Sequence, residues 1–219
     1  MKKLILGLVI AVLMAIPIGS AKAITNPFAG KMIALDAGHG GTEIGAYNTT
    51  YSLAEKDVNL AVVYALKSKL ETAGAKVVLT RKDDETIPSR KDRIAIAKSE
   101  CLALGRECDI LVSVHHNGSS NTDTDGTMVI YNEKQDKPLA FALHDSLIKG
   151  LGLPDLGYEN GGYGITVYGH MISALTEAYF LTNNDEARAY LYGTRKDDEA
   201  QTIFDGIGSY FLNKTSKRK

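Results

Sequence analysis

The first apolar block runs from Leu4 to Ile18, behind Lys2 and Lys3 and ahead of Ala21-Lys22-Ala23. A charged start, a short apolar run and a small-x-small triplet make the pattern of a secretory signal. The run also falls short of the roughly 20 residues that a membrane-spanning helix needs. Residues 1–23 are therefore expected to be a cleaved signal peptide, with residues 24–219 forming one mature domain that begins at Ile24.

Beyond that segment the apolar periodicity alternates between strand and helix. Lys31 to Asp36 is a short apolar run that stops at Gly38, Gly40 and Gly41, which predicts a buried strand ending in a tight loop. Val58, Ala61, Val62, Ala65, Leu66 and Leu70 recur at helical spacing. Ser52-Leu53-Ala54-Glu55 ahead of them matches a capping box, and Gly74 supplies the stop. Lys76 to Thr80 predicts a second strand, and Pro88-Ser89 opens a helix with Ile94, Ala95 and Ala97 on its apolar side. Asp109 to His115 is a third strand, apolar until it meets His115 and His116, and Gly126 to Tyr131 alternates as a fourth. Pro138 to Lys149 reads as helix, the Gly-rich Gly150 to Gly164 as mainly loop, and Ile165 to Tyr168 and Ser173 to Ala178 as short strands. A helix begins at Asn184, and a last one runs near Asp197 to Leu212. Alternation at this spacing predicts a single α/β domain: a twisted, mostly parallel sheet of about six strands flanked by helices.

Charge narrows the partners only slightly. Without Lys2, Lys3 and Lys22 the 25 basic residues become 22 against 26 acidic ones, a net of −4, so no nucleic-acid partner is implied. Cys101 and Cys108 both follow the expected export signal. A disulfide between them is chemically allowed there, and two free thiols are the alternative.

The chemistry gathers at strand ends, where open α/β sheets collect their ligands. His39, His115 and Glu177 stand at or after such ends, and Glu55 stands at the start of the first helix. Two neutral imidazoles and one carboxylate, with a fourth place for water, make a catalytic zinc site, and a spare carboxylate can move protons. Each residue also has an ordinary use. A histidine after a strand is commonly a hydrogen-bonded loop residue, the capping box alone accounts for Glu55, and Glu177 can pair with a Lys or Arg. No compact H-E-x-x-H motif is present, and spacing alone does not bring the four together.

Larger blocks carry more. Leu35-Asp36-Ala37-Gly38-His39-Gly40-Gly41 with Gly45-Ala46, then Glu55-Lys56-Asp57-Val58-Asn59-Leu60, then Val78-Leu79-Thr80-Arg81 with Arg90 and Arg93, follow one another. After them come Asp109 to Asn117, and Ala174-Leu175-Thr176-Glu177 to Phe180-Leu181-Thr182-Asn183 with Glu186 and Ala187. From Ile33 to about Leu191 the chain thereby resembles the zinc-dependent N-acetylmuramoyl-L-alanine amidases of the amidase 3 type. The resemblance implies one zinc ion held by His39, Glu55 and His115, with Glu177 as general base. It implies hydrolysis of the amide bond between N-acetylmuramic acid and L-alanine in peptidoglycan, by residues 24–219 as the catalytic domain. It further implies action outside the cytoplasm, in the periplasm or cell wall, by a monomer without a membrane span once the signal is cut, with the need for an activator left open. The residues alone leave open a soluble muropeptide or peptide substrate, and wall binding without turnover.

Several positions depart from the family pattern or fall outside it. His116 replaces a residue that is usually small; it is expected to pack beside the site or donate a hydrogen bond, not to be a ligand. Ala178-Tyr179 replaces a small Gly-containing turn, and bulk there could reshape the pocket or change the angle of the Glu177 carboxylate. Ala37 stands where Pro is common. His144 is expected on a helix surface, His170 stands just ahead of the Glu177 strand, and Tyr158, Tyr163 and Tyr168 are expected to pack the Gly-rich loop. Autoinhibited members of that family carry an added helical segment after the second histidine motif; only a short stretch separates Asn117 from the strand at Gly126 here, so the resemblance implies an open cleft without a built-in plug.

Overall fold

Strands form where β-branched and aliphatic residues run together, and the central strands form here with both faces covered, which is why they read as continuous apolar runs. The computed structural model describes residues 26–161, 164–167 and 171–216; the expected signal peptide, Tyr163, Tyr168 and His170 lie outside them. Among the described residues the order is β1 (Met32–Ala37), β2 (Tyr47–Asn48), β3 (Leu53–Ala54), α1 (Glu55–Thr72), β4 (Lys76–Leu79), α2 (Arg90–Ala103) and β5 (Ile110–Asn117). There follow β6 (Thr127–Tyr131), α3 (Lys137–Leu151), β7 (Asp155–Asn160), a single 3-10 turn (Gly164–Val167), β8 (Ser173–Phe180), α4 (Asn184–Tyr192) and α5 (Arg195–Ser216). Six strands form one sheet in the order β4-β1-β5-β8-β6-β7, and β2 and β3 form a small hairpin. The sheet is parallel except between β6 and β8. This is the expected single α/β domain.

Alternation along each strand divides the interior in two. Ile33 and Leu35 of β1 and Ile110, Val112 and Val114 of β5 face a large core shared with α1, α3 and α5. Met32, Ala34 and Leu111 face a smaller core closed by Ile94, Ala97 and Cys101 of α2. Each fully buried aliphatic side chain contributes about 1.5–3 kcal/mol. The α3–α5 contact is close: a Cβ on Gly206 would lie 2.9 Å from the Cα of Leu143, so a backbone, not a side chain, sets that spacing.

Three expectations are corrected here. Residues 155–160, expected as loop, form β7, an exposed edge strand that pairs with β6 through Val129, Ile130 and Tyr131. Its sequence, Asp-Leu-Gly-Tyr-Glu-Asn, carries little apolar signal, and backbone pairing with a neighbour makes it a strand. Ile165 to Tyr168, expected as a strand, is a 3-10 turn over Gly164–Val167, and Ile165 packs into the α2 core instead of joining the sheet. Short apolar runs do not distinguish these outcomes by period. The capping box is not formed. Ser52 has φ +53°, and Ala54 occupies the cap position without a side-chain bond. The first N–H groups of α1 are satisfied from elsewhere: Glu55 N donates to Ala46 O (2.8 Å) and Lys56 N to Ile44 O (3.1 Å). The Glu55 side chain is thereby released for other work.

The helix expected to open at Pro88-Ser89 does so, with Ser89 Oγ accepting from Asp92 N at 3.2 Å. Among the described residues no helix is long and apolar enough to cross a membrane. Cys101 and Cys108, left open between bridge and thiols, are joined in a disulfide with a Cα–Cα distance of 5.6 Å, tying the end of α2 to the approach of β5. Closing so short a loop stabilises by about 2–3 kcal/mol. Replacing both cysteines with Ala is expected to lower the urea midpoint by that order, and reduction of the wild type should reproduce the loss. An unchanged midpoint would show that packing of α2 makes the bridge redundant.

Candidate metal centre and cleft

The parallel strands β1, β5 and β8 end side by side, and the turn after β1 must bring a histidine over that edge. It does so in a conformation that side chains rarely adopt, with His39 at φ +60°. Two buried arginines hold the turn by its carbonyls. Arg81 donates from Nε to Ala37 O (2.9 Å) and from Nη2 to Gly38 O (3.0 Å). Arg93 donates from Nη1 to Ala37 O (2.8 Å) and from Nη2 to His39 O (2.6 Å). Asp36 anchors Arg93 at 2.9 Å and also accepts from Thr80 and Ser113. Burial pushes the Asp36 carboxyl up, but the Arg93 charge and the two hydroxyl bonds hold it below its ordinary value.

Glycines make the room. A Cβ on Gly38 would lie 2.2 Å from the His115 ring, and one on Gly45 would lie 2.3 Å from Glu55 Oε2 and 2.6 Å from the His39 ring. Into this space β5 delivers His115 and the start of α1 delivers Glu55. Glu55 Oε2 accepts from Ala46 N (2.8 Å) and lies 3.1 Å from His39 Nε2. Its Oε1 lies 3.0 Å from His115 Nδ1 and accepts from His116 N (3.1 Å) and Asn59 Nδ2 (3.2 Å). Burial raises the Glu55 pKa, yet the hydrogen bonds and charges of His115 and His39 outweigh it and leave the group far below the usual carboxylate range. One donor atom from each of His39, Glu55 and His115 lies within 4.8 Å of the other two, a grouping that could hold a metal ion. The donor set suits zinc, and His39 Nδ1 is a buried nitrogen without a hydrogen-bond partner among the described residues.

Glu177 on β8 lies opposite His115 in the parallel register. Its Oε2 is buried and finds no hydrogen-bond partner among the described residues. Burial pushes the Glu177 carboxyl up to about 7, with His115 opposing the shift and Glu55 adding to it. His39, His115 and Glu177 line a cleft of about 580 Å³, with Glu43, Arg90 and Lys91 also on its wall. Ile130, Ile165 and Leu175 give it an apolar side. All four residues singled out from the sequence therefore meet.

Neither Ala178 nor Tyr179 lines the cleft. The β5–β8 register shifts after His115 and Glu177, and this bulge turns Tyr179 into the large core, where its ring lies 4.3 Å from that of His116. His116 is buried beside the site, as expected, and faces away from the cleft. His144 is not a surface residue: it is 6% exposed, bonded from Nε2 to Asp155 (2.8 Å) and packed on Tyr158. The strand that covers it, β7, is the one that sequence periodicity missed. Asn59 and Glu199 were missed as well. Asn59 lies one helical turn beyond Glu55 and shares its face, and Glu199 is an acid on the apolar stripe of Ile203 and Ile207.

Comparison with known proteins agrees with this geometry. The sequence model of the N-acetylmuramoyl-L-alanine amidase family matches residues 33–209, and the chain belongs to that family. It is 32% identical over 195 residues to N-acetylmuramoyl-L-alanine amidase LytC of Bacillus subtilis. That match covers 87% of this chain and 38% of LytC, so the chain spans well under half of that relative. The catalytic domain of CwlV, an N-acetylmuramoyl-L-alanine amidase from Bacillus (Paenibacillus) polymyxa var. colistinus, superposes with a TM-score of 0.75 at 31% identity, over 83% of this chain and 98% of that one. The CwlD amidase of Clostridioides difficile, solved in complex with the GerS lipoprotein, gives 0.73 at 26%, over 84% and 100%.

The raised Glu177 carboxyl has a consequence for stability. Its folded value of about 7 lies above the ordinary 4.5, so the folded state retains the proton longer than the unfolded one. The resulting penalty is absent below about pH 4.5, grows through the interval and is complete above about pH 7. In chelated protein, Glu177→Gln is expected to raise the melting temperature by a few degrees above pH 7, with the difference vanishing near pH 4.5. A pH-independent difference would show that burial of the charge is not the cause.

Proposed function

We propose that the chain is a zinc-dependent N-acetylmuramoyl-L-alanine amidase acting on peptidoglycan. The convergence of His39, Glu55 and His115 beside the buried carboxyl of Glu177 carries the reading. In this proposal the three residues hold one zinc ion, residues 1–23 are a cleaved signal and residues 24–219 are the exported catalytic domain. The Cys101–Cys108 bridge supports an oxidising destination.

The chemistry follows from the placement of the groups. A bound zinc ion supplies Lewis acidity to water and to the amide carbonyl. Glu177 takes a proton from the attacking water and passes it to the nitrogen of L-alanine as the C–N bond breaks. A carboxyl poised near neutrality suits both halves of that transfer, since it must accept and then give up the same proton. The apolar wall of Ile130, Ile165 and Leu175 limits competing water, and Arg90 on the same wall as Glu43 offers a positive group to a carboxylate of a peptide stem.

Mass spectrometry of peptidoglycan digested with the purified protein tests this. Free stem peptides beginning at L-alanine are expected, lost with a chelator and restored by zinc. Cuts inside the peptide would move the scissile bond, and bound zinc without any product would favour wall binding over turnover. Glu177→Ala is expected to retain zinc and lose about 10²- to 10⁴-fold in turnover. His39→Ala is expected to lose the metal; normal zinc content with full activity would remove His39 from the site.

A further inference from the structure

We infer that His116, Asn59 and Glu199 form a buried strut that positions the ligand carboxylate of Glu55, and that the last helix thereby sets the affinity of the metal site. The inference rests on the metal-site reading above.

Proton counting defines the strut. Asn59 Nδ2 faces two acceptors, Gly38 O (3.1 Å) and Glu55 Oε1 (3.2 Å), which fixes the orientation of the amide. Asn59 Oδ1 is then an acceptor, and His116 Nδ1, 2.7 Å away, must carry a proton and donate it. The other ring nitrogen, Nε2, lies 2.9 Å from Glu199 Oε2, and that contact needs one proton between the two groups. With the proton on either atom the pair is neutral, which permits side chains that are both 0% exposed.

The connections converge on the ligand set. Asn59 touches Glu55 directly and holds the carbonyl of Gly38, one residue before His39. The backbone N of His116 donates to Glu55 Oε1, and His115 is its neighbour in β5. Tyr179 lies against the His116 ring. The Glu199 carboxylate has His116 as its partner, and its Oε1 has none among the described residues. Stability alone gives little reason for such a pair, because apolar residues in place of buried ion pairs are often neutral or stabilising by about 1–4 kcal/mol. Groups behind the ligands of metal sites commonly govern affinity by about 10- to 100-fold.

Zinc dissociation constants by chelator competition, with melting curves of the chelated proteins, provide the test. His116→Ala and Asn59→Ala are each expected to weaken zinc about 10- to 100-fold, and the double variant should be no weaker than Asn59→Ala. Glu199→Leu should weaken it too, whereas Glu199→Gln, which can donate its amide N–H to Nε2, should restore most of the affinity. Lower melting temperatures with an unchanged zinc constant would reduce the strut to a packing role and overturn the inference. Should His116→Ala fail to fold, the Glu199→Leu and Glu199→Gln pair decides it alone. Wild-type protein that takes up no zinc would sink the metal-site reading and the inference together, while tight zinc in wild type and variants alike would sink only the inference.

Discussion

The turn from Asp36 to His39 runs against the preferences of its own backbone, and two buried guanidinium groups hold it there. A non-glycine residue at positive φ costs on the order of 1–3 kcal/mol and persists only where its surroundings over-determine it. Here they do. Arg81 and Arg93 bond the carbonyls of Ala37, Gly38 and His39, and Asp36 keeps Arg93 in place. The sheet depends on the same groups, because Asp36 is tied to Ser113 of the next strand and to Thr80 beyond the strand on its other side. The clamp fixes the first histidine, the glycines leave space for the second, and the carboxylate of Glu55 can then meet both.

The two sides of the sheet have divided the labour. His115 and Glu177 face the cleft, and His116, one residue further along β5, faces the helices. A strand imposes this, since successive side chains point to opposite faces. A bulge in β8 keeps the arrangement workable by sending Tyr179 into the core beside His116 instead of into the cleft beside Glu177. Chemistry on one face is thus backed by polar groups on the other.

Much of this arrangement is legible in the sequence. The apolar runs ending at His39, at His115 and near Glu177 marked three strand ends, and the resemblance joined Glu55 to them. Glu55 shows where local pattern misleads. Its spacing from Ser52 fits a cap, but the carbonyls of Ile44 and Ala46 satisfy the helix end and leave the carboxylate to the histidines. His144 shows the limit of reading a helix by itself, because its burial depends on a strand that arrives later in the chain. Asn59 and Glu199 were hidden for a related reason: a polar residue on a helix reveals its partners only after the helices have packed.

The edge strand β7 has a bearing on how the protein behaves in company. A strand at the border of a sheet offers unpaired N–H and C=O groups on which another chain can template. In β7 that border is short, carries Asp155 and Glu159, and is interrupted by Gly157 at φ +79°, with its pairing to β6 shifted between Thr127 and Val129. Charge, brevity and a broken register all discourage a second molecule from adding on. The polar composition that kept β7 from looking like a strand is also what guards this margin of the sheet against aggregation.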